Sequence, residues 1–185
     1  LRAALKIGNF LDSNCDSIAL SEILFQATDK DLQDYADRYL LSPLNMTALW
    51  WRDNVEVGQR AGNYLGYCCL DARPRDFAKL GQLLLNDGRW NGEQVVSESY
   101  VDAIKQIATN SILQDETPSY AYGLQFRTLL PQVIDTQAAD FPAAFSTYAA
   151  AGFDEQYILV DFDKSLVVVR NSLYAPLLSV SYTHL

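Results

Sequence analysis

Residues 70–92 read LDARPRDFAKLGQLLLNDGRWNG, and this stretch decides the fold of the middle of the chain. Pro74 stands where the first turn of a helix accepts proline, and Gly88 stands where a glycine commonly ends one. The apolar side chains that recur between them at helical spacing are Phe77, Leu80 and Leu84. The stretch therefore predicts an amphipathic helix that packs one face on a core.

Three more helices are predicted around this one, because apolar residues repeat at i, i+3, i+4 and i+7 before it and again after it. The first set after Ser17 is Leu20, Ile23, Leu24 and Ala27. The second set, after Asp31, is Leu32, Tyr35, Ala36 and Tyr39. A further helix is predicted from about Ser97, and its inward residues are Tyr100, Ile104 and Ile107.

After residue 120 the hydrophobic period changes to that of a strand. Alternation over 122–129 predicts one strand, and Phe145 to Ala150 predicts another. Gln156 to Val160 and Leu166 to Arg170 are rich in β-branched residues and are joined by the polar residues DFDKS, so they predict an antiparallel pair. The expected class is α+β, with an antiparallel sheet of about four strands flanked by helices.

These elements predict one partial domain over 1–185, mainly helical over about 1–118 and built of antiparallel strands over about 119–175, with a tail at 176–185. The 14 Lys and Arg residues are outnumbered by 23 Asp and Glu residues, giving a formal net charge of -9. This charge disfavours nucleic acid as a partner. No apolar run approaches the ~20 residues that a membrane-spanning helix needs, so we expect a soluble protein with no membrane span.

The cysteines and the single histidine predict neither a metal site nor any cofactor. Cys15, Cys68 and Cys69 lack metal-ligand spacing, and His184 is next to last in the chain, where termini commonly fray. Adjacent cysteines are poor disulfide partners because the bond favours Cα atoms roughly 5.5 Å apart. We therefore expect Cys68 and Cys69 to be reduced and partly buried.

Three stretches in order resemble the C-terminal half of the serine β-lactamase-like hydrolases, which include class C β-lactamases, penicillin-binding esterases and aminohexanoate-dimer hydrolases. Residues 70–92 are similar to the family segment ARDFAKFGQLLLNDGRWNG. Residues 42–46, SPLNM, resemble its PLGM turn, and residues 156–169 resemble its GQYIYVDP…DLVVVR hairpin. The resemblance covers roughly residues 10–171 and implies a partial β-lactamase/transpeptidase-like fold.

The resemblance also implies a nucleophilic serine with a lysine one helical turn later, since the lysine then acts as base toward the hydroxyl. No serine of this chain has a lysine three positions further on. In the family this S-x-x-K motif lies ahead of the matched region, and Leu1 to Ile7 read as the interior of a longer sequence. We therefore expect the chain to be a fragment, inactive alone, whose nucleophile precedes Leu1. The sequence does not decide whether the protein is in the bacterial cytoplasm, in the periplasm or secreted.

The family's second motif, F-x-Y-x-[N/S], aligns with residues 10–14, FLDSN. The resemblance makes Asp12 and Asn14 catalytic candidates, with Asp12 in place of tyrosine. A carboxyl group has a reference pKa of about 3.9 against about 10 for tyrosine, so Asp12 would not relay a proton in the usual way. The alternative is an Asx-rich turn ahead of a helix.

The third motif, K-T-G or H-x-G on an edge strand, aligns with Thr147, Tyr148 and Ala149. These residues and Ala150 become candidates for substrate binding and the oxyanion hole, with the Ala150 N–H as donor. Because no cation stands here, an ester or uncharged amide suits the site better than a carboxylate. The alternative is a small-residue strand that packs closely against a neighbour.

Two functions from different classes follow. The first is part of a β-lactamase-like esterase or amidase that forms an acyl-enzyme and acts on a small-molecule ester or amide. The second is a non-catalytic binding or structural relative, in which the departures at Asp12 and Thr147 mark lost chemistry. A serine and lysine encoded ahead of Leu1 would favour the first.

Overall fold

The computed structural model describes residues 14–53, 62–106, 122–128, 147–152 and 156–171. The helices are α1 (Asn14–Thr28), α2 (Leu32–Ala36), α3 (Pro74–Leu85) and α4 (Glu98–Lys105), and a π-helical turn (Asp37–Leu41) continues α2. The strands are β1 (Ala48–Trp50), β2 (Leu70–Ala72), β3 (Arg89–Trp90), β4 (Glu93–Gln94), β5 (Tyr122–Gly123), β6 (Phe126–Thr128), β7 (Thr147–Gly152), β8 (Gln156–Asp161) and β9 (Leu166–Arg170).

An antiparallel sheet in the order β5-β6-β7-β8-β9 confirms the α+β class. The predicted pair is the β8–β9 hairpin, in which Leu159 lies opposite Val168, and β7 is the strand expected from Phe145, described from Thr147 onward. Two small antiparallel pairs, β1–β2 and β3–β4, also lie within the part of the chain predicted to be mainly helical. Among the described residues no helix is long and apolar enough to cross a membrane.

The prediction of a single strand over 122–129 was wrong for residues 122–128, which are the part that the structure describes. The segment is a hairpin of β5 and β6, in which Gly123 pairs with Phe126. Leu124 and Gln125, the turn residues, have φ values of 50° and 68°. Left-handed turn residues are usually glycine, asparagine or aspartate, so the sequence carried no signal for this turn.

Helix α3 confirms the prediction from residues 70–92. Pro74 begins it, and the Gly88 N–H donates to the Leu83 carbonyl at 2.8 Å with Gly88 at a φ of 79°. The helix lies directly on the sheet: a Cβ added at Gly81 would lie 2.5 Å from Val167 Cγ1. Glycine at this position therefore permits the close approach of α3 to β9.

Hydrogen bonds from Lys79 join α3 to the turn at 42–46. The Lys79 ammonium donates to the Asn45 carbonyl and to Asp76 Oδ1, the latter at 2.7 Å. The hydrogen bond from Lys79 is the main reason that the pKa of Asp76 lies below its usual value. Leu44 and Met46 of the same turn are buried in a core cluster with Leu83, so the turn is part of the core that α3 covers.

In two helices the inward residues differ from those predicted. The π-helical turn after α2 rotates the positions that follow, so Tyr39 is 45% exposed while Leu41 is buried. In α4, which Ser97 caps, Tyr100 is 40% exposed, and Val101 takes the interior position beside Ile104. Ile107 lies outside the described residues.

Helix α1 begins at Asn14, earlier than the predicted start at Ser17, and its apolar stripe is exposed. Leu20 is 54% and Ile23 is 62% exposed. On β9, Leu166 and Val168 are also exposed. Both elements therefore present exposed apolar surface.

Candidate active site at strand β7

Strand β7 carries the four residues aligned with the third motif and pairs with β8 along its whole length, from Thr147 opposite Asp161 to Gly152 opposite Gln156. On its other side β6 pairs with Tyr148 and Ala149 only. The described part of β7 is therefore internal where Tyr148 and Ala149 lie, and the expectation of an edge strand was wrong there. The β5–β6 hairpin, which the sequence did not reveal, is the reason.

Tyr148 points into the core on the side of α4. It is 5% exposed, its hydroxyl donates to the Lys105 carbonyl at 2.6 Å, and its ring packs edge-on against Phe162. Burial raises the pKa of the Tyr148 phenol, so it stays protonated and keeps this hydrogen bond. The Tyr148 side chain thus fixes β7 to α4, and the Ala149 side chain is fully buried as well.

Thr147 is held by a buried carboxylate. Its hydroxyl donates to Asp161 Oδ2 at 3.0 Å, and Asp161 also accepts from the Lys164 backbone N–H at 2.9 Å and from the Lys164 ammonium at 2.7 Å. These bonds, the Lys164 ammonium first, lower the pKa of Asp161 to about 2. The carboxylate therefore fixes the first residue of β7 against the end of β8 and the turn after it.

Replacing Asp161 tests this arrangement. Because the pKa of Asp161 is lower in the folded chain than its ordinary 3.8, its contribution to stability is complete above that value and is lost as the pH falls toward 2. We expect Asp161→Asn to lower the free energy of unfolding at pH 7 on the order of 1–2 kcal/mol, since the Lys164 head is in solvent and screened. Guanidinium unfolding at pH 7 and at pH 2.5 measures the difference, which should shrink at the lower pH.

Asp163→Asn is the matched control, because Asp163 is an exposed carboxylate in the same connection. It should change stability by less than about 0.5 kcal/mol at either pH. An Asp161→Asn effect equal to that of the control, or one that grows as the pH falls, contradicts the role assigned to Asp161.

Ala150 differs from Tyr148 and Ala149, the two residues before it. Its cross-strand partner is Ile158 on β8, and within the described strands β6 has no register pair with it. Its side chain is small and half-buried. A strand segment of this kind can present a backbone N–H to a carbonyl oxygen without a side chain in the way.

The second-motif candidates lie at the start of α1. Asp12 lies outside the described residues, and Asn14 is the first residue of α1, with its backbone but not its side chain described. Farther along α1, a Cβ added at Gly66 would lie 2.0 Å from Ser21 Oγ and 3.3 Å from Leu32 Cδ2. The loop that contains Gly66 is therefore in direct contact with the helix that begins at Asn14.

The expectation of reduced Cys68 and Cys69 was wrong, because the two residues form a disulfide with Cα atoms 3.7 Å apart. Adjacent cysteines bridge when the intervening peptide closes into a ring, and Cys69 adopts a left-handed φ of 68°. Cys15 is a free, exposed thiol and is not bonded to Cys68. The described residues contain no group of three or more metal-ligating side chains.

No protein-family model matches the chain. Over 60 residues the chain is 35% identical to Glutaminase 2 of Clostridium perfringens, a match that covers 31% of this chain and 20% of the glutaminase. A solved structure from Bacillus anthracis, assigned as a 6-aminohexanoate-dimer hydrolase, matches with a TM-score of 0.71 and 23% identity over 91% of this chain and 39% of that one. The chain has a serine β-lactamase-like fold.

Two other structures with this fold also match. A protein of Bacteroides dorei assigned as a β-lactamase has a TM-score of 0.64 and 15% identity over 92% of this chain and 54% of its own. A D-stereospecific amidohydrolase of Streptomyces has a TM-score of 0.56 and 11% identity over 85% of this chain and 48% of its own. The chain thus spans between about two fifths and just over half of the length of these β-lactamase-like structures.

Within this β-lactamase-like fold the structure reveals a residue that sequence reasoning missed. Asp161 was assigned only to a polar connection, yet it is 7% exposed and holds Thr147. The available signal was an aspartate at the end of a strand with a lysine three residues later, a spacing at which a turn brings the two charges together.

Proposed function

We propose that the chain is part of a serine hydrolase that cleaves an ester or amide through an acyl-enzyme. The observation that carries the proposal is the match to an aminohexanoate-dimer hydrolase over 91% of this chain. Fold alone does not fix function, so the proposal also needs a site with the required chemistry. The backbone of β7 at Ala150 and the start of α1 at Asn14 are the parts of that site proposed for this chain.

In the proposed reaction the nucleophile is a serine ahead of Leu1, with a lysine three residues later as its base. The serine oxygen bonds to the substrate carbonyl carbon while its proton passes to the lysine amine. The Ala150 N–H stabilises the oxyanion that forms, and Asn14 orients the lysine or the substrate. The bond from the carbonyl carbon to the leaving group breaks, and the leaving group departs with the proton from the lysine. Water then attacks the acyl carbon, the bond to the serine oxygen breaks to release the acid, and the second proton of water restores the serine hydroxyl.

The substrate is proposed to be uncharged at the end that meets β7. Thr147 stands where relatives place a cation, and its hydroxyl donates to Asp161. The formal net charge of -9 also disfavours an anionic substrate. The names of the relatives, an aminohexanoate-dimer hydrolase, an amidohydrolase and a glutaminase, favour an amide within this class.

The proposal is tested by comparing the 185-residue chain with the product of the complete gene. We expect the complete product to react with a fluorophosphonate probe and to hydrolyse short p-nitrophenyl esters or p-nitroanilides with saturation. The 185-residue chain should do neither, since loss of a nucleophile costs on the order of 10⁶ in kcat. Saturable hydrolysis by the shorter chain would contradict the assignment of the nucleophile.

A second candidate is a non-catalytic module with a β-lactamase-like fold, favoured by the hydrogen bond that occupies the Thr147 hydroxyl. Asp12 in the place of the tyrosine points the same way. A complete gene product that neither reacts with the probe nor turns over any of these substrates would select this candidate over the hydrolase.

A further inference from the structure

The segment Leu65–Cys69 forms a bulge whose two ends are fixed to one residue, Trp51. The Leu65 N–H donates to the Trp51 carbonyl at 2.9 Å, and the Trp51 N–H donates to the Cys69 carbonyl at 3.0 Å. Within the segment, the Cys68 N–H donates to the Leu65 carbonyl at 3.0 Å. We call this segment the disulfide bulge, because Cys68 and Cys69 are bonded to each other at its end.

The backbone of the disulfide bulge depends on an unfavourable conformation at Cys69. Its φ of 68° is left-handed, a region that residues with a Cβ seldom occupy. The bond between Cys68 and Cys69 closes a ring that includes the peptide between them, so Cys69 cannot turn independently of Cys68. The same residue supplies the carbonyl that accepts from Trp51, and a change in its φ would therefore move that acceptor.

The disulfide bulge also contacts the helix at the candidate site. Gly66 approaches so closely that a Cβ there would lie 2.0 Å from Ser21 Oγ of α1. Helix α1 begins at Asn14, the candidate of the second motif. A rearrangement of the disulfide bulge therefore acts directly on the surface that supports α1.

We propose that the Cys68–Cys69 disulfide is a reversible redox switch that holds the disulfide bulge closed against α1. Two molecules of a monothiol, or one dithiol, reduce it: the Sγ–Sγ bond breaks, each sulfur gains one electron and one proton, and the reductant becomes a disulfide. Both cysteines are half-buried beside Tyr67, which is 41% exposed, so a thiol reaches them from solvent. The switch itself is independent of the proposed hydrolase function, although its effect on catalysis rests on that function.

Counting thiols tests the oxidised state. The 185-residue chain, denatured with N-ethylmaleimide without reductant, should take up one adduct, at Cys15, and after reduction it should take up an adduct at each of its 3 cysteines. Intact mass spectrometry gives the number and peptide mapping gives the positions. Adducts at Cys68 and Cys69 before reduction would overturn the proposal.

Hydrogen exchange tests the conformational change. On reduction, hydrogen exchange should become roughly tenfold faster at the Trp51 and Leu65 amides and in α1 around Ser21. A roughly tenfold rise in the open population is expected when a residue with a Cβ is no longer held in the left-handed conformation. Exchange in the β8–β9 hairpin should stay unchanged and serves as the internal control. Equal exchange of Trp51 and Leu65 in the oxidised and reduced chains would overturn the proposal.

Two double variants separate the disulfide from the backbone conformation that it holds. Cys68→Ser with Cys69→Ser should exchange like the reduced chain, because this variant has neither the disulfide ring nor a glycine to support the left-handed φ at position 69. Cys68→Ser with Cys69→Gly should exchange like the oxidised chain, since glycine adopts that φ without cost. Identical exchange in the two double variants would overturn the mechanism. These readouts do not involve activity, so they remain decisive even if the hydrolase proposal fails.

Discussion

Gly88→Ala is expected to lower the free energy of unfolding by roughly 2–5 kcal/mol, the sum of a left-handed conformation and of overpacking. Gly88 has a φ of 79°, and a Cβ there would lie 2.0 Å from the carbonyl oxygen of Val96. The backbone cannot give way cheaply, because the Val95 and Val96 N–H groups both donate to the Gly88 carbonyl at 2.9 and 3.1 Å. Guanidinium unfolding followed by circular dichroism measures the loss.

Gly92→Ala is the matched control for this substitution. Gly92 has a similar φ of 88°, but a Cβ there would meet no atom within 4 Å. It should therefore show the conformational cost alone, about 1–2 kcal/mol. If the two variants lose the same stability, the close approach of Gly88 to the Val96 carbonyl is not what makes glycine necessary at the end of α3.

Ile104→Ala is expected to cost about 2–5 kcal/mol, through lost burial and the cavity left behind. Ile104 is 0% exposed and belongs to the core cluster of Leu84, Val101, Tyr148 and Val160. This cluster joins α3 and α4 to the sheet, and it contains the tyrosine that fixes β7. The loss should therefore appear both in the unfolding free energy and as faster hydrogen exchange in β7.

The same substitution at Ile23 is the control, because Ile23 is a helical isoleucine that is 62% exposed. In the 185-residue chain Ile23→Ala should change stability by less than about 0.5 kcal/mol. A large loss in the 185-residue chain would contradict the exposure of this stripe.

The sequence predicted the elements whose signals are local. Two β-branched runs joined by a polar connection indicate the β8–β9 hairpin. Pro74, Gly88 and the apolar stripe between them indicate α3. The turn at Leu124 and Gln125 gave no such signal, because its left-handed residues are not of the usual types. The exposure of Tyr39 depends on a π-helical turn, which helical periodicity cannot anticipate.

The candidate site was predictable only in part. Counting back from the β8–β9 hairpin placed the third motif on β7, where the structure has a strand with small residues. The inward direction of Tyr148 and the hydrogen bond from Thr147 to Asp161 could not be predicted, because they join residues far apart in the sequence: Tyr148 with Lys105 and Thr147 with Asp161. The disulfide between Cys68 and Cys69 was missed because average disulfide geometry argues against adjacent partners.

The most direct test of the account is to locate the serine that reacts with a fluorophosphonate in the complete gene product. Tandem mass spectrometry of the labelled protein identifies the modified residue. We expect the label on a serine ahead of Leu1 that is followed three positions later by a lysine. An adduct on any serine within residues 1–185 would contradict this expectation, because the nucleophile would then belong to the present sequence.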